Sequence, residues 1–180
     1  MPTTLITGAS GFVGATVLAH LIQHGHKVIA AVRSTSSANG IISAHPDWKG
    51  LVTFVTVPDF TVPGVFDPIF KEHPSIDHII HVAAPLLDDP NNTDFVQHFE
   101  KPSVLGNIGL LQSAKEYGKN VKSFAVTGSV NAITLGNPED VGSRVLGNDQ
   151  WLPLGREDAI KAQNNYVCPS VHFLTYICEL

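Results

Sequence analysis

Five short apolar runs, at residues 3–7, 27–32, 51–57, 77–82 and 122–127, punctuate the chain and read as β-strands. Several are nearly unbroken Val, Ile and Phe, the composition of a strand buried on both faces. Between the first two, Val13, Val17, Leu18, Leu21 and Ile22 recur at helical spacing, and Gly25 within His24-Gly25-His26 is placed to end that helix. Together they make a strand-helix-strand unit of about 30 residues. Residues 66–72 have the length of a short helix stopped before Pro74. From 94 to 117, Phe95, Phe99, Val104, Ile108, Leu111 and Ala114 predict a long helix, kinked or restarted at Pro102 and closed by Gly118. A further short helix is expected over 156–163, with Glu157 and Asp158 in its first turn. The stretch 33–50, rich in Ser, Ala and Asn, reads as a loop with room for one helical turn. Apolar runs alternating with helical segments are the pattern of an α/β protein, a parallel sheet covered by helices on both faces.

A length of 180 residues suits one core. The net charge of −5, with no run of Lys or Arg, argues against a nucleic-acid surface, because phosphate backbones demand clustered positive charge. Small molecules are the expected partners. Uncharged stretches such as 123–138 are broken by Gly, Asn and Pro and fall short of the roughly 20 apolar residues a bilayer span requires. No basic segment precedes a long apolar run near Met1, so a cytoplasmic location is expected, with Cys168 and Cys178 reduced. Nine His invite a search for metal ligands, but His20 and His24 lack an identifiable third ligand, and His78 and His81 sit out of phase on one strand. No metal site is expected.

The sharpest feature is Thr7-Gly8-Ala9-Ser10-Gly11-Phe12-Val13-Gly14, where the first strand hands over to the first helix. Glycines at 8, 11 and 14 would let the backbone turn tightly, approach a diphosphate closely and pack the helix on the sheet. The amide groups and positive dipole end of the helix then face the phosphates. At the end of the second strand, where a carboxylate would bind the ribose hydroxyls of NAD, this chain has Arg33 followed by Ser34 and Ser36. A guanidinium there matches a 2′-phosphate, so NADP is expected over NAD.

On Thr7 to Gly14, Val32-Arg33, Val57-Pro58-Asp59-Phe60, His81-Val82-Ala83-Ala84-Pro85, Ala125-Val126-Thr127-Gly128-Ser129-Val130, Trp151 to Ala159 and Tyr166, the sequence resembles the extended short-chain dehydrogenase/reductases. These belong to the NAD-dependent epimerase/dehydratase family. The branch it is most similar to holds dihydroflavonol, cinnamoyl-CoA, methylglyoxal and ketone reductases. The resemblance implies a Rossmann-type doubly wound parallel sheet, here incomplete at its C-terminal edge. It also implies hydride transfer between a nicotinamide and a carbonyl or alcohol carbon. Coenzyme contacts would fall on Gly8, Ser10, Gly11, Phe12, Val13, Gly14 and Arg33. Asp59 and Phe60 would flank the adenine, Ala83, Ala84 and Pro85 the ribose and diphosphate, and Thr127 the nicotinamide side. Ser129 would hold the substrate oxygen and Tyr166 protonate it.

One departure changes the chemistry expected. The family's Lys, one helical turn after the Tyr, lowers that phenol's pKa; here the position holds Ser170, and Pro169 weakens any helix running on from Tyr166. Lys161 lies five positions before Tyr166, which is not a same-face helical spacing. The resemblance therefore divides the chain into a coenzyme-binding domain over 1–166 and a divergent tail over 167–180, without the family's substrate-binding part. An open sheet edge would then invite self-association. Three functions fit. One is an NADP-dependent reductase, weak or inactive in this form. Another is a dinucleotide- or partner-binding module without turnover. The third is a coenzyme-independent isomerase or cyclase using Ser129, Tyr166 or His81.

Overall fold

The structure, a computed structural model, describes residues 1–84, 96, 97, 101–130, 133 and 147. The chain divides into two compact units, Met1–Ala84 with Leu105–Thr127, and Pro85–Val104 with Gly128–Leu180. The first contains the sheet. Its strands are β1 (Thr3–Thr7), β2 (Lys27–Val32), β3 (Val52–Thr56), β4 (His78–His81) and β5 (Ser123–Val126). Helices α1 (Phe12–Gln23), α2 (Thr35–Ala44), α3 (Asp67–Glu72) and α4 (Lys101–Tyr117) connect them, with a 3-10 turn at Pro46–Trp48. All pairings are parallel, in the order β3-β2-β1-β4-β5. This is a Rossmann-type doubly wound sheet.

Every residue of β1 is buried, because it lies mid-sheet with helices over both faces. Its side chains alternate between two cores. Leu5 points to one with Ile79, Phe66, Phe70 and the α4 residue Leu110. Ile6 points to the other with Leu18 of α1, Ala38 and Ile41 of α2, and Trp48. Each apolar run identified in the sequence is thus a strand, trimmed by one residue at each end for the last three. Leu51, expected to open β3, lies in a turn and is 52% exposed. At the amino edge of the sheet Asp77 ties three strands: Oδ2 accepts from the Thr3 amide at 2.9 Å and Oδ1 from Lys122 Nζ at 2.7 Å. Those bonds, the Lys122 one foremost, hold the Asp77 carboxyl below the usual carboxylate range.

One expectation needs correction. The stretch 33–50 is not a loop with at most one turn: α2 runs from Thr35 to Ala44, with Ser34 Oγ accepting from the Ser37 amide at its start. Ser, Asn and Gly have low helix propensity, and the burial of Ala38 and Ile41, one turn apart, overrides it. Of the expected long helix, Lys101–Tyr117 is described as α4, with Pro102 near the start of that span and Gly118 closing it as expected. The expected helix at 156–163 lies outside the described residues. Among those described, no helix is long and apolar enough to cross a membrane.

Candidate functional site

Because the five strands are parallel, their carboxyl ends share one edge of the sheet. Onto that edge open the turn after β1, Arg33 after β2, Asp59 after β3, Ala83 and Ala84 after β4, and Thr127 after β5. Chain order reverses between β1 and β4, the crevice where doubly wound sheets take ligands.

Two of the three glycines of the β1–α1 turn, Gly8 and Gly14, have a steric reason. Gly8 is left-handed at φ 74°, and a Cβ there would stand 2.7 Å from the Ala83 nitrogen. Gly11 begins α1 and donates its amide to the Gly8 carbonyl at 3.0 Å. Gly14 is buried, and a Cβ on it would overlap that same carbonyl. So the helix lies directly on the turn. Among the described residues no side chain caps α1, and no carboxylate occupies its first turn, leaving the positive end of the dipole to an outside anion. Ser10 is exposed beside it, and Phe12 and Val13, 93% and 53% exposed, stand at the mouth with their apolar side chains uncovered. The turn fits a diphosphate.

Behind the turn sits a buried polar group. Thr7 and His81 are register partners on β1 and β4, and Thr7 Oγ1 lies 2.6 Å from His81 Nδ1. The same hydroxyl accepts from the Ala83 amide at 3.2 Å. The His81 carbonyl accepts from the Thr127 amide at 3.0 Å and its hydroxyl at 3.3 Å. Nε2 is buried with no hydrogen-bond partner among the described residues. Burial lowers the His81 pKa to about 4, so the ring is neutral at physiological pH.

The remaining expected residues divide by position. Arg33 is exposed at the end of β2, while Ser34 is engaged as the α2 cap and bonds Ser36 Oγ at 2.8 Å. Asp59 Oδ1 accepts from the Thr61 hydroxyl and amide, at 2.6 and 2.8 Å, and these bonds lower its pKa. The Phe60 ring lies flush on α4, filling the space a side chain at Gly106 would need. Ser129, partly buried, falls in the second compact unit. Pro85, Lys161, Tyr166 and Ser170 lie outside the described residues. The pairing of Thr7 with His81 escaped the sequence reading, because nothing local says which residue on β4 faces which on β1. Among the described residues no three His, Cys, Asp or Glu side chains gather as a metal site.

The sequence profile of the NAD dependent epimerase/dehydratase family matches residues 4–146. The chain belongs to that family. Among its relatives, a Candida albicans protein named for NADPH-dependent methylglyoxal reduction is 33% identical over 163 residues, covering 88% of this chain and 47% of its own. A Cercospora beticola ketoreductase is 33% identical over 162 residues, covering 87% and 43%. The chain thus spans about half the length of the curated relatives it matches. In fold it is similar to the crystal structure of Candida albicans Gre2 in complex with NADPH (TM-score 0.88, 24% identity), covering 99% of this chain and 52% of that one. Yeast methylglyoxal/isovaleraldehyde reductase Gre2, also complexed with NADPH, follows at TM-score 0.81 and 23% identity, covering 98% and 53%.

Proposed function

We propose that this member of the epimerase/dehydratase family binds NADPH and is built for hydride exchange with a small carbonyl or alcohol, residues 1–166 being the coenzyme-binding domain. One observation carries the reading. The glycine turn is sterically compelled at positions 8 and 14, opens at the switch point of the sheet, and offers a helix end with no side-chain cap among the described residues and no carboxylate in its first turn. Arg33, in the place where an NAD site would hold an acid, supports the phosphorylated coenzyme, as do the relative named for NADPH-dependent reduction and the solved structures complexed with NADPH.

When bound, NADPH supplies the hydride. The chain's residues then have separate duties: amides of the turn and first helical turn hold the diphosphate, Arg33 pairs with the 2′-phosphate, and Thr127 borders the nicotinamide side. Ser129 donates to the substrate oxygen and Tyr166 delivers its proton. A phenol with a pKa near 10 is a poor proton donor and acceptor at neutral pH without a neighbouring cation. Ser170 supplies none. This favours a second reading, coenzyme binding with little or no turnover.

Calorimetric titration with NADPH and NADH, followed by a screen of aldehydes and ketones on the same preparation, separates the two. Both readings expect saturable NADPH binding, tighter than NADH. Turnover selects the reductase, and binding without turnover selects the binding module. Absence of binding removes both.

A further inference from the structure

A neutral imidazole in a protein core, with one nitrogen that has no partner among the described residues, is a polar group that an apolar side chain of similar size would replace without that loss. Such a rule-breaking residue points to a duty elsewhere. The duty is visible in what its other atoms touch. Nδ1 fixes the Thr7 hydroxyl at 2.6 Å, that hydroxyl takes the Ala83 amide at 3.2 Å, and the Ala83 nitrogen lies where a Gly8 side chain would begin. On its other side the His81 carbonyl takes both the amide and the hydroxyl of Thr127.

We propose that His81 is a positioning residue for the coenzyme: through the Thr7 hydroxyl it sets the separation between the glycine turn and the strand end at Ala83, the gap that receives the dinucleotide. The proposal rests on the NADPH reading above and adds a residue that touches no ligand itself. Its logic is that of a ligand shell held by a supporting shell, where small displacements cost affinity without unfolding the protein. Either direction of the Thr7–His81 bond serves, because the hydroxyl still has a lone pair for Ala83.

The test compares NADPH affinity with thermal stability in His81→Phe, Thr7→Val, the double variant and Thr7→Ser. His81→Phe removes a buried nitrogen that has no partner among the described residues and keeps a ring, so it should melt no lower than the parent yet bind NADPH about tenfold more weakly. Thr7→Val should lose a similar factor, the double variant no more than either single, and Thr7→Ser should restore parental binding. Faster hydrogen exchange of the Ala83 amide in both single variants, without coenzyme, would report the released strand end directly. Parental NADPH affinity in His81→Phe and Thr7→Val, or losses that multiply in the double variant, would overturn the positioning role alone. Failure of the unaltered protein to bind NADPH would overturn the coenzyme reading and this proposal with it, even with Ala83 exchange altered.

Discussion

At the scale of single residues, the glycines are not interchangeable. Gly14→Ala drives a methyl group into the Gly8 carbonyl, and overpacking of that kind costs about 1–3 kcal/mol. Gly40, inside α2, has nothing within 4 Å of a would-be Cβ, and alanine is the better helix former there by about 0.5–1 kcal/mol. Denaturant titration should therefore show opposite signs for the two substitutions, with NADPH affinity lost only in the first. Arg33 tests the coenzyme assignment in the same way. Removing a charge-assisted pair worth about 1.5–3 kcal/mol should weaken NADPH binding on the order of tenfold to a hundredfold in Arg33→Ala. NADH, having no 2′-phosphate, should bind as before. Equal losses for both coenzymes would place Arg33 outside the ribose site. The sequence showed both residues, since Gly spacing and a charge after a strand are local signals.

Among the elements, the β1–β4 pair carries an acid sensitivity. His81 titrates near 6.5 in an unfolded chain but at about 4 in the folded one, because a charged ring is disfavoured in the core. Between those values the unfolded chain binds the extra proton, so stability is full above pH 6.5 and falls as pH drops toward 4. The depression corresponds to on the order of 3 kcal/mol across that window. Melting curves from pH 7 to pH 4 should decline more steeply in the parent than in His81→Phe, and parallel slopes would refute the assignment. Helix α2 shows the other limit of sequence reading. Its Ser-rich composition signals a loop, and only the β2 face, which buries Ala38 and Ile41, makes it helical.

For the whole molecule, the two cores on either side of one sheet explain how a ligand at the strand ends reports on global stability. Binding to the folded state alone adds about 2.7 kcal/mol at a hundredfold excess over Kd, which for a chain of this size is roughly 5–10 °C in melting temperature. NADPH at a given concentration should raise the melting temperature more than NADH. A shift of equal size with both would leave the phosphate selectivity without support. The strand order also decides which loops meet. Arg33 and Thr127 lie 94 positions apart, yet both follow strands whose carboxyl ends share an edge of the sheet.

The sequence alone determined the class of fold, the strand positions and the glycine turn between β1 and α1. Those depend on local periodicity, and on glycine where a side chain has no room. Only the tertiary structure decided that β1 is central, that residues 35–44 are helical and that Thr7 faces His81. Register and burial arise from packing between segments distant in the chain, so an imidazole inside a strand looks like any other histidine until its neighbour across the sheet is known.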